Sequence, residues 1–430
     1  MTLQKYQIIN LKMILKIIKS FLLFLYIFEF NLAGWGFPTY VTSRRIAILG
    51  FIFLFMLINI ISRGKRFTFR IPPLFKFKYL KWTIWYNFLL LIYACVLFVC
   101  IGGTGDYFHD CIMRLILFGL IPCLIIYNVY ESLSEFFDTV IYAITFQSLI
   151  IGACLYSSDF ANMIDSYFAA SESVNEYVVG HRGGYAGGIA CITAPGLLKF
   201  SIGYVACIYK YLQTRNFSFL LIYFVYAVIG TMIARTGLLI SVVCIFWLYK
   251  STGTFKDVFR LSLFSAFAFV LLIVVIIYFD LGDFFLTRFK RFEQFEYGLD
   301  YAFFDAYFQT NDLYRMYLPL ESISLFGTDI ISGYSNAGYY ISVDGEILRL
   351  YCAIGIPLCV ISLLLMYLMF FDIIKNTSSL AKKVSIQAYV IIIFLGQIKE
   401  LMIYQQYPLF LLFGIFFLDD YLDKKTLNLR

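Results

Sequence analysis

The chain has 430 residues, 61% of them apolar and only 14% charged, with a formal net charge of +7. Soluble domains carry about 25% charged residues, so this balance excludes an ordinary water-soluble fold. The basic excess is scattered over short polar intervals instead of forming a patch with a fold behind it, which argues against nucleic acid as a partner.

Apolar runs of about 20 residues recur along the chain, each long enough to cross about 30 Å of hydrocarbon as a helix. A β-barrel would instead show alternating segments of about ten residues. The expected fold is an all-α polytopic integral membrane protein, a single membrane domain over residues 1–430 with about twelve transmembrane helices. In chain order they are Met13–Ala33, Ile46–Ile61, Trp82–Ile101, Cys111–Tyr130, Thr139–Ser157, Gly188–Tyr209, Phe217–Ala234, Gly237–Tyr249, Leu261–Phe279, Glu346–Phe371, Val384–Ile398 and Tyr407–Leu418. The first carries Lys16 and Lys19 and lacks a small-residue cleavage site, so it reads as a retained helix and not a signal peptide. The ten cysteines lie in or beside apolar runs and form no CxxC pair, so neither a disulfide framework nor a zinc site is expected.

An even number of spans puts both termini on one side, and basic residues choose the side. The side of the termini collects 22 Lys and Arg, among them Lys16, Lys19, Arg70 and Lys210. The other side has eight in its short loops, counting Lys199 inside a span. Both termini are therefore expected on the inner, cytoplasmic side of the membrane.

Two larger loops are expected on the outer side. One spans 158–187 and runs into Gly180-His181-Arg182-Gly183-Gly184-Tyr185-Ala186-Gly187-Gly188, a backbone free to approach a ligand closely. The other spans 280–345, between the ninth and tenth helices, with ten acidic residues against four bases and many interleaved aromatics. Within it Phe285–Phe308 has the spacing of an amphipathic helix lying on a bilayer, and the same rings could stack on sugars.

Arg182, Arg235 and Arg315 all fall on that outer face under a topology chosen without reference to them. Each can be read as a solvated or snorkelling side chain. Together they suit an anionic substrate such as a pyrophosphate, because guanidinium groups pair with phosphate oxygens and stabilise charge developing on a phosphate leaving group. Asp344 and Glu346 can be read as first-turn acids of the tenth helix or as carboxylates accepting a proton from an attacking hydroxyl. His181 is a further candidate base, its ordinary pKa lying near neutrality.

These pieces occur in a familiar order: the arginine-glycine outer loop, Arg235-Thr236-Gly237 opening a helix, a long outer loop ending in Leu325-Phe326-Gly327-Thr328, then Asp344-Gly345-Glu346-Ile347-Leu348 and Gly355-Ile356-Pro357. From about Gly180 to the end of the tenth helix the chain resembles the O-antigen polymerase (Wzy-type) family, within the O-antigen polymerase and ligase superfamily. The resemblance implies a GT-C-like, all-helical inner-membrane glycosyltransferase of surface-polysaccharide and lipopolysaccharide biosynthesis. Its substrates would be undecaprenyl-pyrophosphate-linked oligosaccharides, met at the periplasmic face without metal or cofactor. A flippase and a chain-length regulator would be its partners beside the lipid bilayer. Arg182, Arg235 and Arg315 would hold the pyrophosphate, and Asp344, His181 or Glu346 would aid the attack.

The chain departs from the family pattern in two places. A glycine expected eleven residues after such an arginine is Thr193 counted from Arg182 and Phe326 counted from Arg315, with Gly327 one later. The ligases resemble one another in a histidine just before the helix that follows the long loop, where this chain has Asp344, which favours the polymerase. The alternatives are a ligase acting on a lipid A core and a flippase for the lipid-linked unit. A transporter would be expected to show inverted repeats and midplane charges.

Overall fold

The computed structural model describes residues 2–38, 40–63, 69–72, 76–101, 121–168, 189, 193–233, 236–252, 270, 274, 325–327, 333–334, 340–341, 346–397 and 415–418. Over these residues the backbone is almost entirely helical. The helices are α1 (Thr2–Ile27), α2 (Ser43–Arg63), α3 (Lys78–Ile101), α4 (Ile121–Val129), α5 (Leu133–Tyr156), α6 (Ser158–Phe168), α7 (Thr193–Thr214), α8 (Ser218–Ile233), α9 (Thr236–Thr252), α10 (Glu346–Ile354), α11 (Ile356–Lys375) and α12 (Leu380–Gln397). A short 3-10 turn covers Ala33–Trp35, Asn31 and Thr42 form an isolated antiparallel bridge, and β1 (Gly333–Tyr334) pairs antiparallel with β2 (Tyr340–Ile341).

Among the described residues five helices are long and apolar enough to cross a membrane: α2, α3, α5, α11 and α12. Their surfaces say what solvent they meet. On α2 the outward side chains are Ile46, Leu49, Phe53, Met56 and Ile60, and on α3 Trp82, Trp85, Phe88, Leu89, Ile92, Val96 and Val99 lie on one side, with Phe98 exposed on another. That spacing of three and four residues traces one apolar stripe along each helix, suited to lipid and unsuited to water.

The inner faces build two cores. The larger joins α1, α2, α4, α5, α6, α7, α8, α9, α11 and α12 with Leu80 of α3, and large side chains such as Tyr26, Phe28, Tyr130, Phe136, Tyr204, Tyr209 and Tyr226 are withdrawn from solvent. Helices approach closely where one contributes no side chain. A Cβ on Gly203 of α7 would lie 2.8 Å from the Tyr226 ring of α8 and 3.0 Å from Ile144 of α5, the small-residue contact that packs helices in lipid. The smaller core joins Leu90 and Ala94 of α3 to Leu350, Ala353 and Ile354 of α10 and Cys359 of α11.

Several expected elements change shape. The tenth span, expected unbroken over Glu346–Phe371, is two helices, because Gly355 has φ +82° and Pro357 sits in the first turn of α11; proline favours that position, and a left-handed residue ends the preceding helix. The fifth span begins earlier than Thr139, at Leu133. The loop 158–187 opens with α6, while its residues 169–187 lie outside the described set. Of the fourth span only 121–130 is described, helical over Ile121–Val129, and of the twelfth only 415–418. The ninth span is outside apart from helical residues 270 and 274, and so is the amphipathic stretch Phe285–Phe308.

Candidate functional site

The best-defined feature near the long loop is the turn Leu325-Phe326-Gly327, docked against the break between α10 and α11. Gly327 has φ +76°, and Gly355 opposite it has φ +82°, both in the region that L side chains avoid. A Cβ on Gly327 would overlap the Ala353 carbonyl, and one on Gly355 would overlap the Leu325 carbonyl and lie 2.9 Å from the Gly327 nitrogen. Two glycines are needed because two backbones touch. The Tyr93 hydroxyl of α3 donates to the Phe326 carbonyl and pins the turn from a third element.

Side-chain hydrogen bonds set α3 antiparallel to α11 and so fix the depth of that dock. The Tyr79 amide donates to Asp372 at 3.5 Å, Thr83 to the Leu365 carbonyl at 3.5 Å, and the Tyr86 hydroxyl to the Leu358 carbonyl at 2.5 Å. Ser362 donates in turn to the Tyr86 oxygen at 3.3 Å. Tyr93 lies eight residues before the end of α3, so the turn rests about 12 Å short of that end at 1.5 Å per residue.

Charges gather at a second place. Asp138 of α5 takes Lys16 of α1 on one carboxylate oxygen at 3.0 Å and Lys210 of α7 on the other at 2.5 Å. One turn earlier, Glu135 takes Lys19 at 2.6 Å, and Lys19 also donates to the Val129 carbonyl at 2.9 Å. Lys210 further donates to Ser134 at 2.6 Å. At the start of α5, which carries both acids, Ser132 caps the helix: its Oγ accepts from the Glu135 amide at 3.1 Å, and the Glu135 carboxylate reaches past the cap to accept from the Glu131 amide at 3.0 Å. Beside it Arg70 donates to the carbonyls of Tyr127, Asn128 and Tyr130 at 2.9, 3.3 and 3.1 Å, closing the C-terminal end of α4 as cations do.

At the opposite end Arg44 pairs with Glu29 at 2.9 Å, joining α1 to α2. Deep in α5, Gln147 is fully buried, and its amide nitrogen donates to the Ile189 carbonyl at 2.9 Å. Ile189 directly follows the glycine run 180–188 in the chain. The exit of that run is thus tied to the middle of α5, a role not legible from the sequence.

Of the residues expected to do chemistry, His181, Arg182, Arg235, Arg315 and Asp344 lie outside the described set. Arg235 immediately precedes α9, which begins at Thr236, and Glu346 is the first residue of α10, its side chain outside the set. The described structure does bring together two separated pieces of the sequence pattern, Leu325-Phe326-Gly327 and Gly355-Ile356-Pro357. Among the described residues no group of three His, Cys, Asp or Glu side chains is placed to hold a metal ion.

Helices of membrane-crossing length, lipid-suited stripes and charges held in pairs define a helical membrane protein. Compared with known proteins, the chain matches no family model, no curated protein and no solved structure.

Proposed function

We propose that the chain is a polymerase of bacterial surface polysaccharide, working at the outer face of the cytoplasmic membrane with both termini inside. It transfers the growing glycan from its undecaprenyl-pyrophosphate carrier to a sugar hydroxyl of an incoming lipid-linked repeat unit. The hydroxyl oxygen bonds to the anomeric carbon, and the bond from that carbon to the pyrophosphate oxygen breaks. The carrier pyrophosphate leaves with the electron pair, and the hydroxyl proton passes to a carboxylate or imidazole. In this reading Arg182, Arg235 and Arg315 hold the pyrophosphate, and Asp344, ahead of His181 and Glu346, takes the proton. Holding two bulky lipid-linked substrates in register supplies much of the rate.

One observation carries the reading. The turn that ends the long polar stretch and the glycine-proline break in the following helix, which the family resemblance rests on as separate motifs, are in contact through two left-handed glycines and Tyr93. Such a contact seats residues 325–327 on α3 and on the break between α10 and α11, and a loop-borne site needs a scaffold of that kind.

The test is deletion of the gene in its own host, with surface polysaccharide run on a gel beside Arg182→Ala, Arg235→Ala and Arg315→Ala variants at normal protein levels. Collapse of a long ladder to a core with one repeat unit, reproduced by the arginine variants, is the expected result. Loss of all surface repeats with lipid-linked units retained inside would make the protein a translocase. Long chains left unattached would make it a ligase.

A further inference from the structure

The end of the bundle where α1 meets α2 and α5 meets α6 carries a cluster of outward aromatic and apolar side chains. The turn Ala33–Trp35 packs under α6: the Trp35 ring lies 5.4 Å from that of Tyr167, and the Phe30 ring 5.1 Å from that of Phe168. Gly34 allows this approach, since a Cβ there would lie 2.8 Å from the Ser166 carbonyl oxygen. Around this contact Trp35, Phe37, Tyr40, Met163 and Tyr167 are exposed, and Tyr156 at the end of α5 is 86% exposed.

α6 divides its circumference into three. At 100° per residue, Ala161, Ile164 and Phe168 share the face turned to the bundle, Met163 and Tyr167 share the next, and Asp159, Asn162 and Ser166 share the third. In sequence around the helix these faces suit protein, lipid and water. A helix lying flat at a membrane surface against a bundle needs that order.

Two membrane-crossing windows end here from opposite chain directions, one beginning at Ser43 and one ending at Cys154. The lipid-suited stripe of α2 runs up to this cluster through Leu49 and Ile46, and that of α5 through Phe146 and Leu149. Along α5, Tyr156 stands eighteen residues beyond Asp138, about 27 Å at 1.5 Å per residue, close to the roughly 30 Å of a bilayer's hydrocarbon. The lysine-carboxylate cluster at Asp138 and the aromatic cluster at Tyr156 therefore sit one hydrocarbon thickness apart.

We propose that α6 and the turn Ala33–Trp35 form an interfacial platform, with Trp35, Tyr40, Tyr156, Met163 and Tyr167 seated at the headgroup–acyl boundary of one leaflet, and with the Lys16–Asp138–Lys210 cluster marking the opposite boundary. Tryptophan and tyrosine favour that zone because one edge of the ring is polar and the rest is not. The platform holds the beginning of the 158–187 loop at membrane level. It stands whether or not the protein transfers sugars.

The experiment uses the full chain in lipid nanodiscs made with phosphatidylcholine brominated either near the headgroup or near the chain end. Subtracting the emission of Trp35→Phe from that of the unaltered protein isolates Trp35 and leaves the other tryptophans in place. Lipid brominated near the headgroup is expected to reduce the Trp35 signal roughly twofold, the strongest effect of the two lipids for a ring at the interface. A Met163→Trp variant read against the unaltered protein gives a second position on α6 with the same expected order. If neither lipid quenches and aqueous acrylamide does, the platform stands in water and the proposal fails. Stronger quenching from the chain end at either position also overturns it, since the platform would then be buried in the hydrocarbon.

Discussion

Gly327 and Gly355 lie back to back, each with φ near +80°, so that a methyl group on either would overlap the other's strand of backbone. Gly355→Ala should therefore disturb the dock twice, by steric overlap and by backbone strain of about 1–3 kcal/mol. In a detergent melting experiment the variant is expected to melt several degrees lower, and the long-chain product should be lost from cells at equal protein level. Gly152→Ala is the control, because nothing lies within 4 Å of the added carbon and α5 is helical there. It should be neutral or stabilising by up to about 1 kcal/mol.

Asp138 neutralises two lysines from helices distant in sequence, and Lys210 is only 7% exposed. Asp138→Asn leaves both cations facing a neutral amide. Breaking a buried pair costs about 3–5 kcal/mol, and the partial exposure of Asp138, 29%, points to the lower end. The double variant Asp138→Asn with Lys210→Met should recover most of that loss. Thermal midpoints of the three proteins in one detergent check both statements, and failure of the double variant to recover would assign the cluster a role beyond charge balance.

Ser132 caps α5, and Glu135 accepts from the Glu131 amide while holding Lys19. Ser132→Ala removes one acceptor at the helix start and should cost about 1 kcal/mol. Glu135→Gln should cost more, because Lys19 is 6% exposed and keeps only the Val129 carbonyl and the Tyr130 ring as close partners among those described. Equal losses from the two changes would mean that the cap, and not the ion pair, dominates.

Phe53 is exposed in the middle of α2 and faces the surrounding medium with Leu49 and Met56. In lipid, Phe53→Lys carries an insertion penalty of about 2.5–3 kcal/mol near the helix centre, so carbonate-resistant membrane protein should fall sharply relative to Phe53→Leu. Unchanged yield would place that stripe against water or another chain.

Much of this fold could be read from apolar runs alone, because a helix in lipid must be apolar over about 20 residues and little else satisfies its backbone there. The start of α5 was misplaced because Glu135 and Asp138 look like loop residues to a hydropathy argument; the motif Ser132-Leu133-Ser134-Glu135 marks the true start. The break at Gly355 was hidden for the opposite reason, since apolar residues run across it without interruption. Gly355-Ile356-Pro357 was visible as a motif, but not as the seat of a distant turn.

Composition and spacing by themselves determined a helical membrane protein and where, among the described residues, its long apolar helices fall. Only the tertiary structure decided which charges meet: that Asp138 serves both Lys16 and Lys210, that Arg44 turns to Glu29, and that Gln147 reaches the Ile189 carbonyl. Burial is a property of single residues and can be read along the chain. Pairing depends on which helices lie side by side, and for residues as far apart as Lys16 and Asp138 that follows only from packing the bundle.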